Sequence, residues 1–359
     1  MTCSAAAKPT MSHLPPVARA DLDHIFSHGE ADWLALSGER VFITGGTGFF
    51  GTWLLEALTA ANQLLGTNIE AWILSRDPAA FARRSPHLAN APGIHWLTGD
   101  ITDFAFPTGS FSHIIHAATA ASAQLNVTRP QKMLDTIVRG TERVLEFAEQ
   151  HGTRKLLLTS SGAVYGPQPS ELPGIPETYA GAPNCLSAHS AYAEGKRLSE
   201  LLCAIAAQQS GIEIKIARCF AFVGPHLPLD AHFAIGNFIG DALERRPIQI
   251  EGDGQPLRSY LYAADLVIWL MRIMVAGQSC HPYNVGSEQA ISIADLAHLI
   301  AANNTPILPV EIRTPLDHNR ARQAYVPDTN RTRLELGLSS WISLADGIDK
   351  TLAWHKEAL

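Results

Sequence analysis

The stretch VFITGGTGFFGTWLLEAL, residues 41–58, decides how this chain is read. The apolar run RVFITGG predicts a buried strand, and TWLLEALTAANQLL behind it predicts a helix. Gly45, Gly48 and Gly51 lie between them. In such a strand–turn–helix, Gly45 permits the tight turn and Gly48 lets the backbone approach a pyrophosphate. Gly51 allows close helix packing, while the helix N-terminus faces the negative charge. Three spaced glycines alone could be a turn without chemical meaning. The strand before and the helix after make them a dinucleotide-binding loop. No Gly-Lys-Ser/Thr follows, which excludes the phosphate loop of nucleoside triphosphatases.

The alternation continues outward from this unit. IEAWILSR, IHWLTGD, HIIHAAT and KLLLTSS are further apolar strands, separated by helical stretches such as QKMLDTIVRGTERVLEFAEQ. Continuous apolar strands in βαβ order predict an α/β, Rossmann-type doubly wound parallel sheet covered on both faces. After IKIARCFAFVGP the rhythm loosens, and RPIQIEGDGQPLRSYLY predicts a β-hairpin or short extended pieces. The expected organisation is an N-terminal tail with short helices over 1–37 and a dinucleotide-binding domain over 38–220, to which 262–289 return. A smaller C-terminal α/β substrate-binding region takes 221–261 and 290–359. Residues 1 to about 20 are rich in Ala, Pro and Ser and read as a mobile tail; DLDHIFSHGEADWLAL reads as one or two short helical turns.

Composition narrows the class of function. A net charge of −7 with no basic cluster argues against nucleic acid as a partner. No stretch reaches the length of a membrane span, and the start lacks the apolar core of a signal peptide, so a cytoplasmic protein is expected. The five cysteines are scattered, with no metal-ligand spacing, and read as buried thiols in a reducing compartment; no metal is expected.

Two further stretches carry chemistry. The second strand, ending WILSRDP, should reach the adenosine ribose. Ser75 and Arg76 come first, and a guanidinium there suits the 2′-phosphate of NADP. Asp77, one place later, could instead bind the 2′-hydroxyl of NAD. The cofactor expected is NAD(P), with a slight lean to NADP. In SAYAEGKR, Tyr192 and Lys196 are four apart and share a helix face. A nearby cation favours the phenolate, lowering a tyrosine pKa from about 10 towards working pH, and such a phenol can exchange a proton with a sugar hydroxyl or carbonyl.

With these residues in place, the chain from about Arg40 onward resembles the extended short-chain dehydrogenase/reductase family, in particular its nucleotide-sugar epimerases, dehydratases and reductases. TGGTGFFG matches the family's glycine loop and adds Phe49 and Phe50 to the cofactor site. GDITD matches the segment whose Asp100 and Ile101 line the adenine pocket. HAAT brings Ala117, Ala118 and Thr119 beside the ribose and pyrophosphate. SSGAVYG matches the strand ending in a catalytic Ser/Thr, which is Ser161 by its position four residues before Tyr165, with Ser160 the competitor. The resemblance implies that Tyr192 is the acid/base, that Lys196 tunes it and holds the nicotinamide ribose, and that Ser161 hydrogen-bonds the reacting oxygen. It implies a nucleotide-sugar substrate held by Asn237 and by Arg258 as diphosphate clamp, with Arg322 a second clamp and Arg320 its competitor. It also implies a homodimer built on the helices around 131–150 and 191–208.

Three departures stand out. Ile137 replaces an Asn common in the fourth helix, Ala221 replaces an Asn near the sugar, and Gly162-Ala163 follow Ser161 where 4,6-dehydratases carry an acid pair. The resulting expectation is hydride transfer at C4 of a nucleotide hexose, foremost a 4-epimerase. An NADPH-dependent 4-keto reductase stands second and a 4,6-dehydratase third. A non-enzymatic cofactor sensor on the same fold would have less reason to keep the Tyr-Lys pair.

Overall fold

The computed structural model describes residues 13–118, 123–229, 233–315 and 322–358. The central sheet holds seven strands. Six are β1 (Arg40–Thr44), β2 (Glu70–Ser75), β3 (Ile94–Thr98), β4 (His113–His116), β5 (Lys155–Ser161) and β6 (Glu213–Cys219). Short strands β7 (Phe222–Val223), β8 (Ile248–Ile250), β9 (Leu257–Arg258) and β10 (Leu261–Tyr262) follow, before β11 (Pro282–Val285) returns as the seventh. The order is β11-β6-β5-β4-β1-β2-β3, with every pair parallel. Reversal of direction beside β1 creates the switch point where a doubly wound sheet takes its ligand.

Alternating side chains of each strand feed two cores. Val41, Ile43, Ile73, Ile115 and Leu157 face one side, while Phe42, Leu74, Ile114, Leu156 and Leu158 face the other. Helices α1 (Arg19–Leu34), α2 (Phe49–Leu65), α3 (Pro78–Arg84) and α4 (Pro86–Ala89) come first, then α5 (Ala123–Thr128), α6 (Pro130–Gln150) and α7 (Ala191–Ser210). Close packing of α6 on α7 rests on Gly195, where an added Cβ would stand 3.2 Å from Ile137. Ile137 is thus a buried packing residue.

The C-terminal part of the chain adds α8 (Ala234–Leu243), α9 (Ala263–Ala276), α10 (Ile293–Ala301), α11 (Asn330–Leu336) and α12 (Leu344–Ala358), with strands β12 (Ile291–Ser292), β13 (Val310–Ile312) and β14 (Ala324–Tyr325). Here the expected hairpin gives way to crossed pairings. β8 pairs with β13, β9 lies between β12 and β14, and β10 pairs with β7. GDGQPLRS therefore joins strands of different small sheets, because its partners come from distant segments.

The N-terminal region also differs from expectation. Residues 19–34 form one 16-residue helix, α1, rather than short turns. Ile25, Phe26 and Trp33 are buried, each contributing about 1.5–3 kcal/mol. Its acids are matched from far away: Asp21 accepts from Tyr262 and Lys350, and Asp32 accepts from Arg272. Residues 14–17 are tied down too. Leu14 N–H donates to the Arg84 carbonyl, Val17 N–H donates to Glu56, and Trp354 donates to the Pro16 carbonyl.

Candidate active site

The glycine loop has a distinct reason for each glycine. Gly45 has φ +74° and touches the next strand's exit, where a Cβ would stand 2.6 Å from the Ala117 backbone. Gly51 would place a Cβ 2.3 Å from Gly46 Cα, so the helix lies directly on the turn. Gly48 is exposed, and a Cβ there would meet only Gly45 O at 3.4 Å. Among the described residues, nothing requires Gly48 to lack a side chain. The first turn of α2 has no acid and no side-chain cap, which leaves its amides available to an anion. These features fit a dinucleotide pyrophosphate. Phe49 and Phe50 stand half-buried in that turn, with Phe50 edge-on to Phe222 at 5.0 Å.

At the end of β2, Ser75 is buried and accepts from Asp77 N–H, while Arg76 is exposed. Asp77 caps α3, accepting from Ala80 N–H at 2.8 Å. Asp100 would be raised by burial, but hydrogen bonds from Thr102 and the charges of Arg76 and Lys132 bring its carboxyl below the usual range. Ile101 is buried against Gly140. Ala117 and Ala118 cross the loop, and Ala118 N–H donates to Thr44 Oγ1. Thr119 lies outside the described residues. Below them His116 is fully enclosed between Thr44 (2.8 Å) and Thr141 (3.3 Å), and burial holds it down to about 3.

Ser161 ends β5 and begins a 3-10 turn, where Ala163 N–H donates to its Oγ at 3.2 Å. Ser160 faces the other way and donates to Glu200, which also takes two hydrogen bonds from Arg218. Of the two serines, Ser160 is thereby committed to Glu200, and Ser161 is the one that influences the Tyr192 phenol. Tyr192 and Lys196 share a face of α7, as their spacing predicts. Ser190 gives no side-chain cap to that helix. Instead Asn126 of α5 accepts the Tyr192 N–H at 3.1 Å and donates to the His189 carbonyl.

Electrostatically the pair departs from the expectation. Burial pushes the Tyr192 phenol up, and the hydrogen bond with Ser161 draws it back in part. Lys196 donates to the Thr159 carbonyl at 2.8 Å, and burial lowers its ammonium to about 8. A lysine turned towards a strand carbonyl does not offset the desolvation of the phenol.

The end of β5 carries no acid, since Gly162 and Ala163 follow Ser161. A Cβ on Gly162 would stand 2.7 Å from the Phe220 ring. Glu177 is committed to Asn284 N–H, and exposed Glu171 accepts from Ser170. Phe220 in turn packs against Tyr325, the rings tilted by 34° with centroids 4.7 Å apart. Burial pushes the Tyr325 phenol up, and Ser161 and the charge of Arg258, its partner in the β9–β14 register, draw it back in part. Arg258 is thereby brought to the Ser161 cluster. Arg322 is exposed and donates to the Gln255 carbonyl at 2.7 Å; Arg320 lies outside the described residues. Asn237 stands exposed on α8, and among the described residues its side chain makes no hydrogen bond to the cluster. The sequence reading missed Asn126 and Tyr325, since nothing local marks either one.

A strand, glycine turn, uncapped helix and Ser-Tyr-Lys cluster over one sheet end agree with the family profile that covers residues 41–286. The chain belongs to the NAD dependent epimerase/dehydratase family. UDP-glucuronic acid decarboxylase 6 of Arabidopsis thaliana is 31% identical over 325 residues, covering 87% of both chains. UDP-glucose 4-epimerase of Thermotoga maritima shares the fold with a TM-score of 0.73 at 21% identity, covering 89% of this chain and 99% of that one. The dTDP-glucose 4,6-dehydratase DesIV of Streptomyces venezuelae, crystallised with NAD, gives 0.75 at 22%, covering 89% and 97%. The proteins similar to this chain are thus named for epimerisation, elimination and decarboxylation. Among the described residues, no helix is long and apolar enough to cross a membrane.

Proposed function

We propose that the chain modifies a nucleotide sugar by reversible hydride transfer at C4 and is foremost a 4-epimerase. The observation that carries this reading is that Gly162 and Ala163 follow Ser161 at the end of β5, with the Phe220 ring packed over Gly162, so neither position offers an acid. Elimination of water needs an acid for the departing hydroxyl; inversion at C4 does not. Bound NAD(P) supplies a reversible hydride acceptor. Tyr192 takes the proton of the C4 hydroxyl, Ser161 hydrogen-bonds the same oxygen, and Tyr192 returns the proton once the ketosugar has presented its other face. Arg258 neutralises the diphosphate. An NADPH-dependent 4-keto reductase would use the same groups in one direction only.

A second reading, decarboxylation of a nucleotide uronic acid, is favoured by the 31% identical relative. A carboxylate placed β to the C4 ketone leaves as carbon dioxide without an acid at Gly162 or Ala163. Incubation with UDP-, dTDP-, CDP- and GDP-hexoses and UDP-glucuronate, each with NAD or NADP, separates the readings by product mass together with chromatographic resolution of the sugar epimers. An epimer of unchanged mass supports the proposal, loss of carbon dioxide selects the second reading, and a 4-keto-6-deoxy product refutes both.

We also propose NADP as the preferred cofactor, because Arg76 is exposed while Asp77 is occupied as a cap. The partner proposed is a second copy of the chain. Leu198, Leu201 and Ile205 form an exposed apolar stripe on α7, and light scattering at micromolar concentration tests the homodimer. Cys185, Cys203, Cys219 and Cys280 are all free thiols, which fits a reducing cytoplasm, although Cys185 and Cys280 are exposed rather than buried.

A further inference from the structure

Residues 14–17, LPPV, fall inside the tail that composition predicts, yet they are bound to helices α2, α3 and α12. Two successive prolines favour an extended polyproline strap that loses little entropy on docking and has no N–H of its own to satisfy. The flanking amides supply the donors. Leu14 N–H donates to the Arg84 carbonyl at the end of α3 at 2.7 Å, and Val17 N–H donates to Glu56 of α2 at 3.3 Å. The proline carbonyls accept from Trp354 of α12, at 3.2 Å for Pro15 and 3.1 Å for Pro16. His87 of α4 shares the Glu56 oxygen at 2.9 Å.

Arg84 carries this docking to the glycine loop. Its Nη2 donates to the Thr47 carbonyl at 2.8 Å, and its guanidinium lies 5.3 Å over the ring of buried Phe81. A trans peptide points its carbonyl and its N–H in opposite directions. The Thr47–Gly48 peptide is held at both ends: Gly48 N–H donates to Gly45 O at 3.1 Å, while Arg84 donates to the Thr47 carbonyl. Turning this peptide out of its plane breaks both bonds. Gly48 is the exposed glycine of the loop, the one open to a pyrophosphate. The plane that Arg84 fixes is therefore the one a dinucleotide meets.

We propose that Arg84 is a positioning residue for the dinucleotide, one that preorganises the glycine loop, and that the strap of residues 14–17 sets its place. Arg84 acts through the Thr47 carbonyl rather than on the cofactor itself. Order that the loop already has is order that binding does not have to impose. The role needs the dinucleotide of the family but neither sugar reading, so it stands or falls apart from the proposed function.

The test uses the full chain without any sugar. Arg84→Met keeps an unbranched stem over Phe81 and removes the donor. Because Arg84 is exposed, the lower end of what a charge-assisted hydrogen bond contributes applies, and Kd for NAD and for NADP should rise by the same factor of about ten, read by calorimetric titration. In the cofactor-free protein, hydrogen–deuterium exchange should quicken in peptides spanning residues 45–51 and stay unchanged in those of β5 and α7. Arg84→Lys, which keeps a cationic donor, should bind both cofactors more tightly than Arg84→Met. Leu14→Pro deletes the donor of the strap and should raise both Kd values by a smaller factor. The double variant should bind no more weakly than Arg84→Met, because Leu14 acts through Arg84. Cofactor affinities of Arg84→Met within about twofold of the parent, or unchanged exchange in the loop, overturn the proposal. So does an Arg84→Lys protein no better than Arg84→Met. A loss confined to NADP would make Arg84 a ligand of the 2′-phosphate, and quickened exchange throughout the chain would make it a stability residue; either refutes the positioning role.

Discussion

Adding one methyl group at Gly48 and one at Gly51 separates what the glycine loop does for a cofactor from what it does for the fold. At Gly51 the new Cβ would lie 2.3 Å from Gly46 Cα and 2.4 Å from Gly45 O. Both neighbours are backbone, so the whole turn must shift, and overpacking of this kind costs about 1–3 kcal/mol. With an unfolding entropy of about 2.1 cal/mol/K per residue, 359 residues make 1 kcal/mol worth about 1.3 °C. Gly51→Ala should therefore lower Tm by up to about 4 °C and weaken cofactor binding as well. At Gly48 the new Cβ meets only Gly45 O at 3.4 Å, an ordinary contact. The loss there is confined to a poorer helix start, about 1 kcal/mol, or roughly 1 °C. The added methyl would nevertheless point at an approaching pyrophosphate, and the same 1–3 kcal/mol falls on binding, a rise in Kd of about 5- to 150-fold. Calorimetric titration with NAD and NADP, beside thermal melts, reads both quantities. A Gly48→Ala protein that binds either cofactor within twofold of the parent would refute the cradle.

Tyr192→Phe should abolish turnover while leaving the melt and cofactor titration unchanged, and activity within a few-fold of the parent would remove Tyr192 from the chemistry. Arg76→Ala should weaken NADP binding and leave NAD nearly unaffected, whereas equal losses for both would make Arg76 structural. Asp77→Ala should cost about 1 kcal/mol of stability through its lost cap without changing cofactor preference, as judged by melts and the same titrations. His116, held neutral by burial, binds its proton in the folded chain only near pH 3, but in the unfolded chain near 6.5. Between these values the unfolded state binds more protons, so the stability this residue provides falls as pH drops below 6.5. Urea melts from pH 7 to 4 should show this slope, and His116→Gln should reduce it.

Some of the site was legible because its determinants are local. The turn glycines sit within seven residues of one another, and the Tyr192–Lys196 face follows from helical periodicity. The α1 helix was not legible in this way. Its buried positions mix Ile25, Phe26 and Trp33 with Asp21 and Asp32, and acids on a core face break the apolar pattern. They become tolerable only beside Tyr262 and Arg272, 241 and 240 residues further along. Tyr325 was invisible for a related reason, since a two-residue strand has no periodicity to read and its place beside Arg258 depends on pairing with β9.

The order of strands and helices, the dinucleotide loop and the helical Tyr-Lys pair were determined by the sequence itself, because turn geometry and residue spacing act over a few residues. Which serine faces Tyr192 and what closes over Gly162 were decided only by tertiary structure. In each case the deciding partner is remote: Glu200 and Arg218 hold Ser160, and Phe220 occupies the space above Gly162. A polar side chain can satisfy only a few hydrogen bonds at once, and three-dimensional packing settles which of them it makes.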